Sequence, residues 1–206
     1  MRAFVITGPR VGEVQDVPVP EPRTGEAVVK VAYVGICGTD YHTFAGELTS
    51  QYPLVPGHEA SGTIASLGPD GGAWHEGDRV ALDPSLSCGH CHACRRGRAN
   101  HCENGSSQGD PMNGALAEYV RVPFRNLYRV EDHEQLDEAA FTEPLACVVW
   151  GIERLRVRTS DRSLVFGAGP VGALMAQMLH LAGASDVAVV DVAEEKIAVA
   201  RELGAG

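Results

Sequence analysis

Four of the chain's six cysteines fall in one stretch, Cys88-x2-Cys91-x2-Cys94-x7-Cys102, and no other feature so narrows what the chain can become. Residues 84 to 114 around them are rich in Gly, Cys, Ser and Asn and lack hydrophobic periodicity. A segment of that length and texture cannot hold a shape by burial and needs another constraint. Zinc supplies one. It takes four thiolates tetrahedrally, and a four-thiolate set leaves no open position, so Cys88, Cys91, Cys94 and Cys102 are expected to hold a structural zinc. The opening residues 1–8 have too short an apolar run for a secretion signal, and no small-residue cleavage site follows. Clustered cysteines then read as metal ligands before disulfides, and the expected location is cytoplasmic. Arg95, Arg96 and Arg98 would ease the negative charge left on such a site, with His90, His92 and His101 as solvated loop residues.

The rest of the chain has two textures. The first third reads as strands: residues 3–6 and 27–34 are β-branched and apolar, separated by turn material such as Pro18-Val-Pro-Glu-Pro22. Glycines at 57, 62, 68, 71 and 72 punctuate the next stretch, with further strands expected over 78–82 and 115–122. Beyond about residue 134 the apolar spacing becomes helical, through Leu145, Val148, Ile152 and Leu155. A strand over 163–166, a helix over 170–182, a strand over 187–191 and a helix over 193–203 then form a β-α-β-α run, which predicts a parallel sheet. We place the domain boundary near residue 150. The sequence stops at Gly206 with only two strands of that sheet; two strands leave both outer edges unpaired, so a fragment of a longer protein is expected.

Charge and hydropathy exclude other classes. Seventeen Lys and Arg against 27 Asp and Glu give a net charge of −10, and the pI is about 5.2. An acidic chain with no dense basic run repels nucleic acid and anionic membrane surfaces. Residues 163–185 carry no charge and are long enough to span a bilayer. Gly167, Gly169, Pro170 and Gly172 in the first half, with Gln177 and His180 in the second, fit a strand, a tight turn and a packed helix better.

Several dispersed residues carry chemistry. Cys37 follows a strand that ends at Val34, His58 lies in Gly57-His-Glu-Ala-Ser-Gly62, and Glu143-Pro144 suits the first turn of a helix. Each alone has a dull reading, as a buried thiol, an ordinary imidazole or an acid on a helix dipole. Together, one thiolate, one imidazole and one carboxylate would make the open, three-ligand site of a catalytic zinc. Spacing alone does not bring them together. Gly167-Ala-Gly-Pro-Val-Gly172 lies between an expected strand and helix, and Asp191 ends the next strand. That context suits a pyrophosphate on the helix N-terminus, with Asp191 on the adenosine ribose and against a 2′-phosphate, favouring NAD over NADP.

The chain resembles the zinc-dependent medium-chain dehydrogenase/reductase family, especially its polyol (sorbitol-like) dehydrogenase branch. The matching pieces are Gly35-Ile-Cys-Gly-Thr-Asp-Tyr-His42, Gly57-His-Glu-x2-Gly62, Gly77-Asp-Arg-Val80, the four-cysteine lobe, Glu143-Pro-Leu-Ala-Cys147 and the glycine turn at 167. They run in family order across nearly the whole chain. One departure, Gly68-Pro-Asp-Gly-Gly72, implies a longer turn away from any ligand. The resemblance implies a fold of class α/β plus β: a GroES-like catalytic domain over 1–150 with its zinc lobe at 88–102, then the first part of a Rossmann domain over 151–206. It implies two zincs, the catalytic one on Cys37, His58 and Glu143, with Glu59 behind them or exchanging as a ligand. NAD would contact Gly167, Gly169, Pro170, Val171, Gly172 and Asp191. The implied reaction oxidises a secondary alcohol or polyol to a ketone. Thr39 would take the proton and the His42 imidazole would release it to solvent. A homodimer or homotetramer is expected, and Cys147 is read as a small buried hydrophobe. Two other readings stand beside this: a threonine 3-dehydrogenase-like enzyme, and a non-catalytic zinc-binding fragment.

Overall fold

The structure, a computed structural model, describes residues 1–109 and 111–204. Gly206, on which the fragment expectation rests, lies outside them. Two compact units divide after Glu143.

In the first unit, β1 (Arg2–Gly8) and β2 (Val11–Asp16) pair as an antiparallel hairpin. β3 (Glu26–Gly35) leads into helix α1 (Gly38–Ala45), and β4 (Glu59–Leu67) and β5 (Arg79–Leu82) follow. The cysteine-rich segment holds β6 (Ser85–Leu86), one turn of helix α2 (His92–Arg95), a 3-10 turn at Ala99–His101, β7 (Ser106–Gln108) and β8 (Pro111–Met112). β9 (Tyr119–Pro123), β10 (Leu127–Arg129) and the short helix α3 (Leu136–Ala139) complete it. The main sheet is antiparallel in the order β10-β5-β4-β3-β9.

Its core collects Ala27, Val29, Ala60, Ile64, Val80, Leu82, Val120, Val122 and Leu127. Burying each valine, leucine or isoleucine there stabilises by ~1.5–3 kcal/mol relative to exposure. Ala27 and Val29 belong to this core and Val28, between them, is buried outside it, so this part of β3 is covered on both faces. Sequence reading takes the glycines around β4 for punctuation, yet β4 is the central strand. Gly62 is the reason it fits, because a Cβ there would lie 2.2 Å from the Lys30 carbonyl oxygen on β3.

Helix α4 (Thr142–Leu155) begins at the junction, so the units divide inside its first turn, ahead of the change in texture near residue 150. In the second unit β11 (Arg162–Phe166), α5 (Pro170–Leu181), β12 (Asp186–Val190) and α6 (Glu194–Glu202) follow in order. β11 and β12 are parallel, with Val165 opposite Val189. Val165, Ala176, Leu179, Val187 and Ala200 form a core of their own. The uncharged residues 163–185 are accounted for by β11, a turn and α5. Among the described residues no helix is long and apolar enough to cross a membrane. One expectation fails here. Cys147 is exposed, because α4 buries the face that carries Pro144 and Val148.

Candidate metal centres

The four-cysteine segment closes on itself. The sulfurs of Cys88, Cys91, Cys94 and Cys102 all lie within 4.8 Å of one another. Backbone N–H groups point at them: Cys91 N–H donates to Cys88 Sγ at 3.4 Å, Cys94 N–H to Cys91 Sγ at 3.5 Å and Cys88 N–H to Cys102 Sγ at 3.3 Å. The N–H groups of His90 and Cys91 pull the Cys88 thiol down to about 6, and those of Cys94 and Glu103 lower Cys91. Burial and the neighbouring Cys91 thiol push Cys94 up to about 11. The N–H groups thus favour thiolates at Cys88 and Cys91 while Cys94 resists ionisation, and four thiolates this close together require a cation, which is the chemistry of a four-sulfur metal site. Arg95, Arg96 and Arg98 are exposed, as are His90, His92 and His101; the His90 Nδ1 lies 2.8 Å from the Cys88 carbonyl oxygen.

A second group assembles from remote segments. Cys37 caps the N-terminus of α1, His58 precedes β4, and Glu59 opens β4; one donor atom from each lies within 4.8 Å of the others. Gly57, at φ +96°, turns the chain here, and a Cβ on it would meet the Leu116 backbone nitrogen at 2.8 Å. Gly35 faces Glu59 across the β3–β4 pair, where a Cβ would sit 2.2 Å from Glu59 Oε2. The bare glycine therefore leaves room for the carboxylate. Glu143 lies in the first turn of α4. The family resemblance sets Glu143 among the ligands and Glu59 behind them or exchanging as a ligand; here Glu59 stands beside Cys37 and His58.

Asp40, which carries no role in the sequence reading, ties the second centre together. It is 6% exposed. Its Oδ2 accepts the Cys37 N–H at 2.8 Å, its Oδ1 accepts the Gly57 N–H at 2.9 Å, and Oδ1 stands 3.6 Å from His58 Nδ1. Burial pushes the Asp40 carboxyl up, but His58 and these two N–H groups outweigh it and hold it below the usual carboxylate range. In return the Asp40 carboxylate raises His58 to about 9, against the opposing effect of burial. With Nδ1 turned to Asp40, Nε2 is the nitrogen left for a metal. The Thr39 hydroxyl lies 3.7 Å from Cys37 Sγ, and His42 Nδ1 lies 2.5 Å from Glu47 Oε2. The one sequence signal for Asp40 is its position in the Gly35–His42 motif.

In the second unit, Gly167 takes φ +100°, Gly169 caps α5 and Pro170 occupies its first turn. Gly172 packs against the turn so closely that a Cβ would lie 1.8 Å from the Gly167 carbonyl oxygen. Val171 is exposed at the start of the helix. Asp191 reaches back to this turn: its Oδ2 accepts the Ala168 N–H at 2.7 Å and its Oδ1 the Ala193 N–H at 2.9 Å, and these bonds hold its carboxyl below the usual range. A glycine turn at a helix N-terminus with an ionised acid beside it can receive a pyrophosphate and a ribose diol.

Comparison with known proteins agrees with this geometry. The family model of the alcohol dehydrogenase GroES-like domain matches residues 23–132. The chain is 34% identical over 205 residues to D-arabinitol dehydrogenase 1 of Uromyces fabae, covering 100% of this chain and 58% of that protein. A structure assigned as a zinc-binding dehydrogenase from Sinorhizobium meliloti 1021, bound to NADP, superposes with a TM-score of 0.96 at 34% identity, over 99% of this chain and 60% of that one. A short chain alcohol dehydrogenase from Escherichia coli CFT073, complexed with NADH, gives 0.94 at 33% identity, over 100% of this chain and 60% of that one. The chain thus spans about three-fifths of the length of these relatives.

Proposed function

This chain belongs to the zinc-dependent medium-chain dehydrogenase family, in its polyol dehydrogenase branch, and on that premise we propose that it oxidises a secondary hydroxyl of a polyol to a ketone, with hydride transfer to NAD. The observation that carries the reading is the convergence of Cys37, His58 and Glu59 within 4.8 Å. A sulfur, an imidazole nitrogen and a carboxylate fit a zinc ion with one open position. In this proposal Cys37 and His58 are fixed ligands, Glu59 and Glu143 are the carboxylates that serve the third place, and the four lobe cysteines hold a second, structural zinc.

A zinc ion in the open site supplies Lewis acidity, and the nicotinamide supplies the hydride acceptor. The chain's residues do the rest. Asp40 orients His58 and fixes the Cys37 and Gly57 backbone, so the donors are preorganised. The Thr39 hydroxyl, beside Cys37, accepts the alcohol's proton as it gives its own toward His42, and His42, half-exposed, releases a proton to water. The glycine turn and the N-terminus of α5 receive the pyrophosphate, and the ionised Asp191 accepts from a ribose diol while repelling a 2′-phosphate.

Zinc analysis and turnover assays of wild type and Cys37→Ser test this together, with NAD and NADP offered against D-arabinitol, sorbitol and L-threonine. The wild type is expected to hold zinc at both groups and to prefer a polyol with NAD. Cys37→Ser should keep the lobe zinc while losing ~10³-fold or more in activity. Normal turnover by that variant would refute the ligand set. Preference for L-threonine would refute the substrate class, and absence of dinucleotide binding would leave only a zinc-binding module.

A further inference from the structure

Helix α1 ends in a turn that sets a carboxylate against the imidazole assigned to proton release, and from it we infer that Glu47 is the positioning residue of His42. The inference rests on the reaction proposed above and concerns how its last proton step is prepared.

The two residues are joined twice. Their side chains meet with His42 Nδ1 2.5 Å from Glu47 Oε2, and the Glu47 N–H donates to the His42 carbonyl oxygen at 2.9 Å. The turn between them is locked. Gly46 caps α1 at φ +78° and its N–H reaches the Thr43 carbonyl at 3.2 Å, while the Arg10 N–H donates to the Phe44 carbonyl at 2.6 Å. A Cβ on Gly46 would lie 2.7 Å from Pro9 Cβ, so the turn is held from its outer side as well. Backbone geometry thus sets Glu47 beside His42, and the side chains complete the contact.

A carboxylate accepts and does not donate, so the Nδ1 that faces it carries the hydrogen, and Nε2 keeps a lone pair. Nε2 is then the nitrogen that takes the proton passed from Thr39. The imidazolium so formed is stabilised through its Nδ1–H by Glu47, and the proton leaves Nε2 to water, returning the starting tautomer. Both side chains are about half exposed, so water reaches the ring. The Tyr41 ring stands edge-on to it at 6.0 Å, and among the described residues Glu47 is the charged group paired with His42.

Nitrogen-15 NMR of histidine-labelled full chain reads the tautomer without turnover. His42 should be the Nδ1–H form in wild type and in Glu47→Gln, whose amide oxygen also accepts, and should become a tautomer mixture in Glu47→Ala. In turnover, Glu47→Ala should lower kcat ~10-fold with the KM for alcohol and for NAD nearly unchanged, and Glu47→Gln should recover most of it. In a His42→Gln background, Glu47→Ala should cost nothing further. An Nε2–H tautomer in the wild type, or an equal loss from Glu47→Ala with and without His42, would overturn the inference. Failure of the underlying reaction is read separately, from Cys37→Ser, which leaves the His42 spectrum in place.

Discussion

Neutralising the carboxylate behind His58 should change how the stability of the metal-free protein depends on pH. Asp40 is the largest cause of the rise of His58 from 6.5 to about 9. The folded protein therefore keeps a proton on His58 that the unfolded chain gives up. That stabilisation is fully present below pH 6.5 and is lost as pH rises through about 9. At full effect the separation corresponds to roughly 3 kcal/mol. Asp40→Asn removes the charge. Its amide oxygen can accept only one of the two backbone N–H groups of Cys37 and Gly57, and its NH2 then faces the other. That loss costs ~1–3 kcal/mol and does not vary with pH over this range. Urea unfolding of both proteins in chelator should show a penalty of ~4–6 kcal/mol near pH 6, shrinking to ~1–3 kcal/mol above about pH 9. Ionisation of the lobe thiols is the same in both proteins, so it cancels in the difference. A penalty that stays flat with pH would refute the claim that Asp40 holds the His58 proton.

Two further predictions concern the lobe and the glycine turn. Cys102→Ser removes a sulfur from the four-thiolate group; zinc analysis should show loss of the lobe ion alone, with a lower thermal midpoint because the segment has little core of its own. Retention of both ions would contradict a four-sulfur site. Gly172→Ala would place a methyl 1.8 Å from the Gly167 carbonyl oxygen, so the turn must open. NADH affinity, followed by fluorescence titration, should fall ~10-fold or more, and unchanged affinity would remove the turn from the cofactor site.

What could be read in the sequence divides by range. The cysteine lobe was legible because its ligands are local and their spacing is itself the signal. β1, β3, β11 and α5 were legible from apolar patterning and turn residues. β4 was not, because its defining residue is a glycine: the close approach of β3 to Gly62 is a tertiary fact that looks like a turn signal in one dimension. Cys147 misled for a related reason. Helical spacing says which residues share a face, but not which face is buried. Asp40 was hidden because its partners at Cys37, Gly57 and His58 come from segments brought together by folding.

The place of Glu59 beside Cys37 and His58 shows the same limit. Along an extended chain, consecutive side chains point to opposite faces, so His58 and Glu59 should not serve one point. Two glycines lift that rule. Gly57, at φ +96°, turns the chain just before His58, and Gly35 presents no side chain where Glu59 Oε2 lies. Substituting either glycine would leave every donor in the sequence and still disperse them. At Gly57 a Cβ must displace the Leu116 backbone nitrogen, 2.8 Å away, and at Gly35 it must displace the Glu59 carboxylate itself. The proposed metal centre is therefore specified as much by residues that contribute no ligand atom as by those that do, because donors gathered from a helix N-terminus and the start of a strand need the space that only a missing side chain leaves.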